Sequence, residues 1–159
     1  MKHTLFFAVA AVLLTVSVIN AQQGHAVRGQ MSKRETKSVA DIRAVLDAQA
    51  AAWNRGDIEG YMAGYARSSE TVFISGDTVT RGWETVLGRY KKNYNTREKM
   101  GTLAFSDLEI KLIGKDAATA IGRWELTRAG DAPHGRFTLI FHRTKEGWRI
   151  VHDHTSSAS

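Results

Sequence analysis

The chain contains no cysteine and a single proline, Pro133. Without cysteine there is no disulfide framework, so the fold has to be held by its core alone. No nucleophile elbow, phosphate-binding loop or dinucleotide fingerprint occurs, which removes the common local signatures of hydrolases, nucleotide-binding enzymes and nicotinamide enzymes. Internal repeats and low-complexity tracts are also missing from the main body of the chain. The 22 Lys and Arg outnumber the 16 Asp and Glu, for a formal charge of +6. Yet no run of five basic residues and no basic motif interleaved with aromatics is present, so nucleic acid is not an expected partner. The excess reads as a solubility feature with weak attraction for anions.

The one long apolar run lies at the start. Lys2, the stretch from Leu5 to Ile19 and the small residue Ala21 follow the pattern of a secretory signal peptide over residues 1–21. The run is short for a membrane span of about 20 residues, and no cysteine follows it for lipid attachment. The expected location is therefore secreted or periplasmic, with no stable membrane anchor after cleavage. Residues 22–37 carry Arg28, Lys33, Arg34 and Lys37 without hydrophobic periodicity and read as a flexible basic leader. What remains, residues 38–156 with a short tail at 157–159, is enough for one domain of about 120 residues and too little for two.

Within that domain the hydrophobic period is first helical and then strand-like. Val39, Ile42, Leu46 and Trp53 recur at helical spacing, predicting a helix over 39–55 with Ser38 as N-cap and Gly56 as its left-handed end. Asp57 caps a second, short helix in which Ile58, Tyr61, Met62 and Tyr65 fall on one side. Strands are expected at 71–74 and 78–80 around a Gly76-Asp77 turn. Gly82 then starts a third helix, 83 to about 94, with Trp83, Val86, Leu87, Tyr90 and Tyr94 inward and Arg89, Lys91 and Lys92 outward.

From residue 102 the period is two. The strand 102–113 changes phase near Ser106-Asp107, which implies a bulge. A strand over 117–128 follows, and two runs, 137–143 and 148–155, form a closing hairpin. Three helices followed by three long antiparallel strands make an α+β plan, a curved sheet with helices packed into its concave side.

The densest polar cluster is His152-Asp153-His154 on the last strand. Strict alternation puts Trp148, Ile150, His152 and His154 on one face and Arg149, Val151, Asp153 and Thr155 on the other. Either the histidines or Asp153 reach the interior, depending on a bulge in this strand. His residues two apart on a strand lack an obvious third ligand here, so no metal is expected. The three residues are candidates for acid/base catalysis. His134 and His142 read as solvated. Trp53, Tyr61, Tyr65, Trp83 and Trp124 would line an apolar interior of the kind that binds small molecules.

The succession AAWNRGDIEGYMAGYA, TVFISG, TRGWETVLGRY and GRFTLIFHRTKEGWRIVHDHTSS resembles the nuclear-transport-factor-2-like superfamily. Within it, the chain is most similar to the SnoaL-like group and to the association domain of calcium/calmodulin-dependent protein kinase II. The resemblance spans residues 39–156. It implies a cone-shaped fold with an internal pocket and a homodimer formed through the outer sheet face. No cofactor is expected.

The isomerase pattern of that superfamily is not met. No carboxylate stands between Val72 and Asp77, and the helix-one tyrosine falls in Ala50-Ala51-Ala52. Of the association domain's pocket arginines only one position is retained, Arg123; the others correspond to Leu139 and Thr155. The resemblance makes Arg123 the expected ligand anchor, with Glu125 beside it on the same face. Three functions follow as expectations. The first is an exported binder of a small, largely apolar or weakly anionic molecule anchored by Arg123; the second is a dehydratase, cyclase or isomerase using His152, Asp153 or His154; the third is an oligomerisation module without catalysis.

Overall fold

The computed structural model describes residues 31–158. The segment read as a signal peptide and most of the basic leader lie outside the described residues. Helix α1 (Lys33–Asn54) begins six residues earlier than its hydrophobic period suggested. Ser32 caps it: its hydroxyl accepts from the Glu35 amide at 3.3 Å, and the Glu35 carboxylate accepts from the Ser32 amide at 2.7 Å. This reciprocal box recruits residues 33–37, expected in the leader, into helix. Ser38, expected as the cap, is instead buried inside the helix and accepts a bond from the Arg143 guanidinium at 3.0 Å. Ile42, Leu46, Gln49 and Trp53 form the inward stripe of α1.

Gly56 takes φ +85°, a conformation cheap only for glycine, and so ends α1 and turns the chain. Asp57 then caps α2 (Ile58–Met62), accepting from the Gly60 amide at 2.7 Å. The Ala-Trp-Asn-Arg-Gly-Asp stretch acts as a fastener. Asn54 bonds the Leu103 backbone in both directions, at 2.9 and 2.7 Å, and Trp53 donates its indole N–H to the Met100 carbonyl at 3.0 Å. Strands β1 (Val72–Ser75) and β2 (Thr78–Arg81) form the expected hairpin, and α3 (Trp83–Asn93) follows Gly82. A fourth, one-turn helix, α4 (Arg97–Met100), occupies a stretch expected to be irregular; Thr96 caps it.

Four strands complete the fold: β3 (Thr102–Leu112), β4 (Ala117–Thr127), β5 (His134–Thr144) and β6 (Gly147–Thr155). The sheet runs β2-β1-β6-β5-β4-β3, antiparallel except for the β1–β6 pair, and does not close on itself. The architecture is α+β, an open and mostly antiparallel sheet with its helices on one face. The bulge foreseen in β3 is present: Ser106 pairs with Arg123 and Glu109 with Ile121, so Asp107 and Leu108 stand opposite Gly122 alone, and Asp107 takes φ +52°. A second bulge lies in β6, where Ile150 pairs with Phe141 but His152 pairs with Ile140, leaving Val151 as the extra residue. Before it, Trp148 and Ile150 point inward; after it, Asp153 does. This insertion decides which polar group enters the interior.

Candidate functional site

The helix-covered face of the sheet can be followed row by row through its pairings. One row runs Thr80, Phe73, Asp153, Leu139, Ala120, Ile110 from edge to edge. Asp153 is thus set between Phe73 and Leu139, with water excluded from both sides. Its side chain is buried, and its Oδ2 accepts a 2.6 Å bond from the Tyr65 hydroxyl. Its Oδ1 is also buried and has no hydrogen-bond partner among the described residues. Tyr65 is held for this contact by a short parallel bridge: Ala66 N–H donates to the Ile150 carbonyl and Ile150 N–H to the Gly64 carbonyl.

Desolvation penalises the charged carboxylate and pushes Asp153 up from 3.8 to about 7, while the Tyr65 hydrogen bond pulls it part of the way back. The same burial raises the neighbouring phenols. Tyr61 is pushed up to about 12, chiefly by desolvation and next by the Asp153 charge; Tyr65 is raised for the same leading reasons, and Tyr90 by desolvation and next by Tyr61. At neutral pH all three hydroxyls are neutral donors. Tyr61 and Tyr90 share a 3.4 Å contact between hydroxyls. Trp53 meets Tyr61, Tyr90 and Tyr94 edge-on, with ring centroids 5.1, 6.0 and 4.7 Å away.

These groups enclose a cavity of about 140 Å³ between the helices and the sheet. Its walls are mostly apolar, including Phe105, Trp124, Leu126, Phe137 and Leu139. The volume is close to that of engineered cavities of about 150 Å³ that take up benzene, so it suits one ring. Polar groups sit at a few points: Gln49, Ser75, Arg89, Asn93, Asp153, Thr155 and Ser157.

Of the residues singled out from sequence, Trp53, Tyr61, Tyr65, Trp124 and Asp153 come together at this cavity. Five others do not. Arg123 and Glu125 lie on the outer face of β4, because Gly122, Trp124 and Leu126 hold the inward phase. They pair with each other at 3.1 Å, away from the cavity lining, so Arg123 does not serve as the pocket's anchor. The β6 bulge likewise sends His152 and His154 outward, next to Ile140 and Thr138 on β5. Trp83 is buried behind α2, donating to the Met62 carbonyl at 2.9 Å with the Arg67 guanidinium over its ring. Among the described residues, no three His, Asp, Glu or Cys side chains come together as a metal site.

Sequence reasoning missed Arg89, the pocket's one guanidinium, by assigning it to the outer face of α3 with Lys91 and Lys92. The signal was available. Val86, Arg89, Tyr90, Asn93 and Tyr94 are one continuous helical arc, in which Arg89 stands three residues after a fully buried valine and one before a buried tyrosine.

An open, curved sheet carrying helices on one face and a cavity beneath them defines the cone-shaped α+β class. The SnoaL-like domain model matches residues 42–159, and the chain belongs to that family. It is 41% identical to an NTF-2-like protein of unknown function from Shewanella oneidensis, over 74% of this chain and 98% of that one, with a TM-score of 0.72. More distant solved structures share the fold alone. A putative scytalone dehydratase from Novosphingobium aromaticivorans is 9% identical over 81% of this chain and 89% of that one, with a TM-score of 0.68. A putative calcium/calmodulin-dependent protein kinase II association domain from Xanthomonas campestris is 17% identical over 74% and 86%, with a TM-score of 0.60. Among the curated proteins, none matches the chain significantly.

Proposed function

We propose that this protein binds a small, single-ring, largely apolar molecule in the cone cavity and holds its polar end on Asp153 and Tyr65. The observation that carries the reading is the unpartnered, buried Oδ1 of Asp153 in the cavity wall. A buried acceptor without a partner costs about 1–3 kcal/mol, and a ligand hydroxyl would remove that cost on binding. Quenching of the tryptophans that line the cavity, Trp53 and Trp124, by phenol and 4-methylphenol gives the test. Asp153→Leu, which is close in size and accepts no hydrogen bond, is expected to weaken both at least tenfold. Equal affinity in the two proteins would sink the proposal.

The second reading, a proton-transfer enzyme of the dehydratase, cyclase or isomerase type, draws on a separate observation. A carboxyl group titrating near 7 in a mostly apolar cavity, beside a tyrosine that donates to it, has the proton affinity of a general base or acid at neutral pH. Exchange of the α-protons of cyclohexenone in D2O would report it. Wild-type acceleration that Asp153→Asn abolishes supports catalysis, and equal rates leave the binder.

The expected homodimer belongs to the same proposal. The outer sheet face carries Ile121 and Ile140, 46% and 36% exposed, on neighbouring strands. Light scattering that finds a monomer would remove the dimer from it. Export rests on the N-terminal sequence pattern, and fractionation of the host cell tests it.

A further inference from the structure

The cavity has a second charged group, unaccounted for by a ligand with one polar end. Arg89 is the only cation among its described lining residues, and Asp153 is the only carboxyl group. The guanidinium is positioned by two contacts: it donates from Nη1 to the Thr80 hydroxyl at 3.0 Å and lies 5.1 Å from the centre of the Phe73 ring. Its remaining N–H groups make no hydrogen bond to the described residues, and no ion pair among the described residues includes it. Six other arginines do have carboxylate partners, Arg55, Arg67, Arg123, Arg128, Arg136 and Arg149, while Arg143 is anchored on a serine and a tryptophan ring and Arg97 on backbone carbonyls.

Geometry relates Arg89 to Asp153. Thr80, Phe73 and Asp153 are consecutive positions of one row, so the Thr80 and Asp153 side chains stand two strand spacings, about 10 Å, apart with the Phe73 ring between them. A guanidinium seated on Phe73 and a carboxyl group beyond it therefore face the two ends of anything lying along that ring. Asn93, one turn on from Arg89 in α3, and Ser75 and Thr155, paired across β1 and β6, add neutral hydrogen-bonding groups to the same wall.

We infer that Arg89 is an anion-binding subsite and that the ligands of this cavity are small aromatic acids, their carboxylate on Arg89 and a hydroxyl or carbonyl on Asp153. The planar fork of an arginine with free N–H groups matches a carboxylate in two parallel bonds. The ring between the two ends meets Phe73, Phe137 and Leu139, and the cavity volume admits one ring. The inference rests on the binding reading given above and adds the ligand's charge and length to it.

Calorimetric titration with 4-hydroxybenzoate, and with 4-hydroxybenzyl alcohol as its uncharged counterpart, tests it on the wild-type protein, Arg89→Met and Arg89→Lys. The acid is expected to bind at least tenfold more tightly than the alcohol to wild type. Arg89→Met should remove that preference by weakening the acid at least fivefold more than the alcohol, and Arg89→Lys should keep part of it. A wild-type protein that prefers the alcohol, or an Arg89→Met protein that retains the preference for the acid, overturns the subsite and leaves the cavity reading standing. Binding of neither compound overturns both. Urea denaturation of each variant serves as the folding control.

Discussion

Asp153→Asn should stabilise the protein in alkaline solution and have little effect in acid. In the folded chain this carboxyl group titrates at about 7, against 3.8 for an ordinary aspartate, because Phe73 and Leu139 flank it and water is excluded. Below about pH 4 both states hold the proton and the buried group costs nothing in charge. Between about 4 and 7 the unfolded chain releases its proton and the folded chain keeps it. The folded state then binds more protons, and stability falls as pH rises. Above about 7 the penalty is constant. A tenfold difference in proton affinity is worth about 1.4 kcal/mol, so the full loss is about 4 kcal/mol, an upper figure since the surroundings relax around a buried charge. Asparagine is nearly isosteric, still accepts from Tyr65 and carries no charge. Urea denaturation at half-unit intervals from pH 4.5 to 8.5 measures the effect. The wild-type curve should fall relative to that of Asp153→Asn across the window, with the variant ahead at pH 8.5. Parallel curves would refute the claim that Asp153 is a desolvated carboxyl group.

Tyr65→Phe removes the donor that lowers the Asp153 pKa, so its titration, followed by carboxyl carbon NMR, should move upward, with about 1–3 kcal/mol of stability lost at pH 8. Asn54→Ala breaks both bonds to the Leu103 backbone and should cost about 1–3 kcal/mol, read as a lower urea midpoint with unchanged slope. Arg123→Ala removes a partly exposed pair on the outer face; stability should change by less than about 1 kcal/mol and phenol affinity not at all. A tenfold loss of affinity in that variant would mean that the outer face communicates with the cavity.

The fold was readable because its local signals agree. The Gly56-Asp57 junction, the Gly76-Asp77 hairpin and the switch from helical to alternating period each depend on neighbours in sequence. The bulge in β3 was readable for the same reason, since its hydrophobic residues change parity within one strand. The start of α1 was obscured because its first turn is exposed and polar; only the Ser32 and Glu35 pairing marks it. The β6 bulge left almost no trace, as Val151 between Ile150 and His152 fits either phase. Asp153, Tyr65 and Trp53 come from three segments up to 100 residues apart, and only the tertiary pairing of β6 with its neighbours and with Tyr65 brings them together. Arg123 was carried by resemblance, which transfers a strand position without the pocket around it. Arg89 was assigned outward because it is charged, although its helical position favoured the interior.

The extra residue in β6 has a consequence for how proteins of this shape diversify. Side-chain direction along a strand is a matter of counting, so the identity of the group presented to a ligand depends on the number of residues before it. Keeping Val151 but ironing out the bulge would turn His152 and His154 inward and exchange an acidic interior for one bearing imidazoles, whereas deleting Val151 together with the bulge would leave Asp153 where it is. Loss of the bulge at constant length is therefore a change of chemistry that leaves the sequence unaltered in length, and two homologues aligned without a gap would appear to share a site that points in opposite directions.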